Sequence, residues 1–218
     1  MIIDLNEIAT GFDDPVHDAQ RAFRTLLDAT ARPGRIGRID EGTIDRPRAM
    51  SASMAACLLV LCDATTPVWL SASLRRDERV LGFIRFHAGA PVVDAARDAA
   101  FAFCARSDLP GLSLADLAHG TDEHPEDGAT LVMEVATLDT DPHRDDATQA
   151  PLALRLQGPG IEHAQSLTVD GPDATFWAAR IAMQPAYPTG IDLLLCAGGH
   201  CAAIPRSTLL ATRSAGAH

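Results

Sequence analysis

One short run of the chain, Cys196-Ala-Gly-Gly-His200-Cys201, brings thiols and an imidazole together. These are zinc ligands. Zinc sites, however, usually space their cysteines two to four residues apart and add a second pair, which is absent here. The same run also describes a hairpin turning on Gly198-Gly199, since glycine accepts positive φ. Such a turn sets Ala197 opposite His200 and Cys196 opposite Cys201. Facing cysteines on adjacent strands are close enough for their thiols to touch, and these two are expected to stay reduced.

Arginine supplies the chemistry for binding anions. Arg75, Arg76 and Arg79 fall on one predicted helix. They can grip a phosphate or pair with Asp77, Glu78 and the acidic stretch. Arg85 and His87 flank Phe86 at a helix end, as an acid–base or anion site or as a helix-end hydrogen-bond donor. Asp192 opens an apolar strand after Gly190, as a catalytic carboxylate or a turn residue bonding nearby backbone. Arg206 follows Pro205, as an anion ligand or one half of a salt bridge. Gln157-Gly-Pro-Gly-Ile-Glu162 is glycine-rich after a strand. It lacks the third glycine and long helix of a phosphate loop, and Pro159 removes a donor, so it reads as a tight turn. His119 and His124 lie in HGTDEH without a helical frame, which reads as a solvated loop and not a metal site. A nucleophile elbow, a zinc-protease helix and an EF-hand loop are all missing. We therefore expect no catalytic residue and no metal.

Composition narrows the function further. All 18 basic residues are arginine. A chain without lysine cannot form a Schiff base with pyridoxal phosphate, and it has neither a Walker A nor a kinase lysine. No cofactor is expected. The net charge of −11 and an aromatic content of 5% disfavour nucleic acid. Residues 108 to 150 hold 11 acids against one arginine, so nearly all the net charge lies there. That stretch reads as a solvated surface or a docking surface for a basic partner. At 218 residues, 47% of them hydrophobic, the chain suits a single domain over 1–218 with a core of its own. Met1-Ile2-Ile3-Asp4 does not look like a secretory leader, and no apolar run reaches membrane length. The five cysteines are scattered and odd in number, which fits a reduced, cytoplasmic protein.

The elements that must position these residues interleave along the chain. Asp14-Pro15 starts a helix that Pro33-Gly34 stops, with Val16, Ala19, Phe23, Leu26, Leu27 and Thr30 on its predicted inner stripe. Residues 35–39 form an edge strand. Residues 49–62 form a helix apolar on every side, hence central. A strand is expected at 67–71, one helix over 75–86, strands at 99–104, 130–135 and 152–156, a helix at 173–183, and strands at 191–196 and 201–204. The class is α/β with a mixed, largely buried sheet in a three-layer sandwich.

Seven blocks in this order resemble those of the PhnH family, a subunit of bacterial carbon–phosphorus lyase. They are Ala22-Phe23-Arg24-Thr-Leu26-Leu27-Asp-Ala29-Thr-Ala-Arg-Pro33-Gly34, Asp63-Ala-Thr-Thr66-Pro67-Val68-Trp69-Leu70 and Arg85-Phe86-His87-Ala-Gly-Ala90-Pro91. Gly128-Ala129-Thr130-Leu131 and Leu154-Arg-Leu-Gln-Gly158-Pro-Gly160-Ile161 follow. Pro188-Thr-Gly190-Ile191-Asp192-Leu193 and Ala203-Ile204-Pro205-Arg206-Ser-Thr208 complete the set. The resemblance runs from about residue 15 to 210. The chain departs from the family at Thr30, Ala88-Gly89 and Ser207.

The resemblance implies a fold like the large domain of pyridoxal-phosphate-dependent transferases, though without that cofactor. It implies an accessory subunit that supports synthesis of alpha-D-ribose 1-methylphosphonate 5-triphosphate from ATP and a phosphonate. The expected partners are PhnG, PhnI and PhnJ, with a homodimer when the chain is alone. An alternative is a subunit that binds phosphonate or nucleotide. Its pocket would be built from Arg24, Arg85, His87 and Arg206, which fall in the matching blocks.

Overall fold

A computed structural model describes residues 8–140 and 152–212. Residues 141–150, part of the acidic stretch 108–150, lie outside these, as does the amino-terminal run Met1-Ile2-Ile3-Asp4. The described chain runs β1 (Gly11–Phe12), α1 (His17–Ala31), β2 (Gly37–Arg38), β3 (Ile44–Asp45), α2 (Ala52–Leu61) and β4 (Val68–Leu70). Next come α3 (Ala72–Arg76), α4 (Glu78–His87), β5 (Phe101–Cys104), β6 (Thr130–Glu134) and β7 (Thr137–Asp139). The chain continues with β8 (Leu152–Gln157), β9 (Gln165–Asp170), α5 (Ala174–Ala182), β10 (Asp192–Ala197), β11 (His200–Ile204) and β12 (Leu209–Thr212).

Six strands form the central sheet in the order β2-β11-β10-β6-β5-β4. The four from β10 to β4 are parallel, and β11 and β2 join antiparallel, so the sheet is mixed. Parallel strands buried on both faces need side chains that are apolar in succession. β6 and β10 meet that need, with Leu131 against Leu193, Val132 against Leu194 and Met133 against Leu195. Alternate residues then serve two cores. Val132, Leu194 and Cys196 face α1 and α2, while Leu131, Met133, Leu193 and Leu195 face the other way. The opposite core is closed by α5 and a second, antiparallel sheet in the order β12-β8-β9-β7.

α2 has no polar face and is buried along most of its length, as its composition requires. The Ser51 hydroxyl caps it by accepting from the Met54 N–H at 3.2 Å. Asp14 caps the entry to α1, accepting the N–H groups of Val16 and His17.

Two local expectations change. The helix expected over 75–86 is two helices, α3 and α4, broken at Asp77. This residue is extended (φ −86°, ψ 105°), and its carboxylate caps α4 by accepting from the Arg79 N–H. The inner face of α1 is also rotated from the expected stripe. Ala22, Leu26 and Ala29 are buried, whereas Val16 is 73% exposed, Phe23 46% and Leu27 56%. Small alanines let α1 lie close against its neighbours, and this turns the larger side chains outward.

Candidate functional site

The predicted hairpin forms as expected. Cys196 pairs with Cys201 and Ala197 with His200, around Gly198 at φ +58°. Its loop fastens α2, because the Gly198 carbonyl accepts from both the Ser53 N–H at 3.0 Å and the Ser53 hydroxyl at 2.9 Å. All five cysteines are free and buried. Burial pushes the thiols of Cys62, Cys104 and Cys201 up to about 12. The Cys57 thiol is raised by its hydrogen bond with Cys196 and by burial. Protonated, enclosed thiols are poor nucleophiles and poor metal ligands. Among the described residues no three His, Cys, Asp or Glu side chains cluster as a metal site.

The glycine-rich run after β8 leads into a strand, not a helix, as a turn would. Gly160, at φ +80°, lies directly against the Ala31 carbonyl at the end of α1, where a Cβ would collide. His119 is held by the Leu114 carbonyl at 2.9 Å.

Arg206 and Asp192 form an ion pair at the amino end of β10. The guanidinium also donates to the carbonyls of Pro125 and Gly128. His87 donates from Nε2 to the Ala9 carbonyl at 2.8 Å and packs on Phe83 and Phe86. Gly11 lies against its ring, so His87 holds down the segment leading into β1. Arg24 and Arg85 are exposed, and their side chains make no hydrogen bond or ion pair among the described residues. Within one chain the four predicted residues do not share a pocket. Arg24, Arg85 and Arg206 line separate cavities of about 430, 480 and 590 Å³, and His87 lines none of the three. Arg75 stands in the cavity of Arg85 and is bonded to Asp94 and the Val93 carbonyl.

Two features were not anticipated from the sequence. Glu134 ends β6 on the side of α2, where its carboxylate accepts from the Ser51 N–H at 3.4 Å. Burial raises its pKa, against hydrogen bonding from Ser51 and the charge of Arg46. A lone carboxylate closing an apolar strand was the available signal. The second feature is a cavity of about 760 Å³ at the carboxyl ends of β4 and β5, walled in part by Trp69 and Asp108.

These observations define a mixed α/β protein in which many ionic and sulfur-bearing side chains hold its own loops and core. Residues 10–211 match the family described as bacterial phosphonate metabolism protein (PhnH), and the chain belongs to that family. It is 38% identical to the alpha-D-ribose 1-methylphosphonate 5-triphosphate synthase subunit PhnH of Rhizobium meliloti (strain 1021). That alignment spans 203 residues, 91% of this chain and 93% of the relative. It is 35% identical over 196 residues to a putative C-P lyase subunit protein, HtxG, of Stutzerimonas stutzeri, covering 87% of this chain and 84% of that one. The family expected from the seven sequence blocks is thus the family found.

Proposed function

We propose that this chain is an accessory subunit of a carbon–phosphorus lyase complex. In that role it supports synthesis of alpha-D-ribose 1-methylphosphonate 5-triphosphate from ATP and a phosphonate. The observation that carries this reading is the family match over nearly the whole chain, with relatives that are themselves named as subunits. The geometry supports it: Arg206, Asp192 and His87 hold loops in place. The exposed Val16, just before α1, with Phe23 and Leu27 on it, gives an apolar face of the kind that a partner covers. On this reading the chain acts as one unit over 1–218 in the cytoplasm. It docks with PhnG, PhnI and PhnJ subunits and pairs with a second copy when alone. No helix among the described residues is long and apolar enough to cross a membrane.

The likeness to the large domain of pyridoxal-phosphate-dependent transferases is part of the same proposal, supported by the parallel run β4-β5-β6-β10 beneath helices. The residues do not fit the cofactor, because no lysine is present to form the aldimine. Reconstitution tests the assembly role. With this subunit left out, the remaining subunits should fail to assemble or to convert methylphosphonate with ATP. Full assembly and turnover without it would refute the proposal.

A second reading, binding of phosphonate or nucleotide, is favoured by one feature. The Arg85 side chain has no partner among the described residues and shares its cavity with Arg75. Calorimetry with ATP and ribose triphosphate analogues should then show heat that Arg85→Ala abolishes. No heat at millimolar ligand ends this reading.

A further inference from the structure

Ligands of open α/β sheets settle beyond the carboxyl ends of the strands. The 760 Å³ cavity occupies that position beside β4 and β5, and its size lies in the range of small-molecule sites. None of Arg24, Arg85 and Arg206 reaches it.

Its walls are of two kinds. Trp69 is half-buried on the face of β4 opposite Val68 and Leu70, and Leu112 adds aliphatic surface. An indole beside aliphatic carbon offers a flat, apolar face to a ring. The polar lining includes Asp108, Ser113, Asp116 and Arg97. Asp108 is already engaged, accepting from the Ser73 N–H at 2.7 Å and the Ser73 hydroxyl at 2.6 Å. Burial alone would raise its pKa, but the hydroxyls of Ser71, Ser73 and Ser107 together with the Ser73 N–H outweigh burial and lower it. Asp116 and Arg97 are exposed, and neither has a hydrogen-bonded or ionic side-chain partner among the described residues. With two carboxylates against one guanidinium, the cavity repels a polyphosphate. Free carboxylate and hydroxyl oxygens call for hydroxyl donors.

We propose that this cavity binds a sugar ring, either free or as the sugar of a nucleoside. The apolar face of the ring lies on Trp69, its neighbouring hydroxyls donate to Asp116 and Ser113, and Arg97 donates to a ring or substituent oxygen. The site goes beyond the assembly role, and its failure would leave that role standing.

Fluorescence can test it, because the other tryptophan, Trp177, is fully buried. Acrylamide should quench mainly Trp69, and Trp69→Phe should remove most of that quenching. D-ribose, D-glucose and adenosine are the probes, with excitation beyond the adenine band. At least one, at roughly ten millimolar, should cut the quenching slope by about half, since bound ligands bury most of the surface they meet. Protection by adenosine alone identifies a nucleoside site, and protection by a free sugar identifies a sugar site. Asp116→Ala should raise the required concentration about tenfold, equivalent to one lost hydrogen bond to a charge. Three outcomes would each overturn the proposal: no protection by any probe, equal protection in Asp116→Ala, or quenching unchanged in Trp69→Phe.

Discussion

Arg206 encloses the Asp192 carboxylate with three donors. Its backbone N–H reaches Oδ1 at 2.7 Å, and its Nε and Nη2 reach Oδ2 at 3.1 and 2.6 Å. The two side chains are only 15% and 32% exposed. A planar guanidinium gripping a carboxylate in this way is stronger than an ordinary surface pair. Because it also holds Pro125 and Gly128, it ties the start of β10 to the loop before β6.

Arg206→Met should therefore cost about 2–3 kcal/mol, somewhat less than the break-up of a fully buried pair. Urea denaturation checks this. A loss below about 0.5 kcal/mol, typical of a surface residue, would show that the clamp is not structural.

Glu134 predicts a pH dependence. Burial raises its folded pKa above the unfolded value, so the folded state favours the protonated acid. That stability is fully present below the ordinary carboxylate range and is lost as pH rises through the folded pKa. Glu134→Gln should accordingly raise the melting temperature at neutral pH, and the gain should shrink in acid. A gain that is constant with pH would mean that titration is not its cause.

The rotated face of α1 separates folding from assembly. Phe23→Ser with Leu27→Gln should change chain stability by no more than about 0.5 kcal/mol, since both side chains are exposed. The same pair should abolish co-purification with the partner subunits. Ala22→Leu should instead destabilise the chain by about 1–3 kcal/mol through overpacking. Unaltered co-purification of the double variant would move the interface elsewhere.

The buried thiols should be silent. At about pH 8 the native protein should resist a thiol reagent, and guanidinium should release all five cysteines together. Rapid labelling of any one of them in the native state would contradict the packing described.

Much of the architecture could be read from local patterns. The runs Leu131-Val132-Met133 and Leu193-Leu194-Leu195 mark doubly buried strands, and Gly198-Gly199 marks its own turn. β9 escaped because Gln165-Ser166 and Asp170 dilute its apolar residues. The orientation of α1 escaped for a different reason. Hydrophobicity ranks Phe23 and Leu27 above Ala22 and Ala29, whereas close approach of the helix rewards the smaller residues. The cavity by Trp69 joins residues from loops far apart in the chain, and no spacing rule connects them. Asp77, a good capping residue before Glu78, did carry a sign of the helix break.

The bond from Ser53 to Gly198 spans 145 positions. During synthesis α2 emerges long before the hairpin that completes its surroundings, and β10 must later insert beside β6. A nascent chain halted before residue 192 would therefore present an oily helix and an open strand edge to the solvent. Such a fragment should aggregate or depend on a chaperone, so the last eighth or so of the message decides whether the earlier part remains soluble.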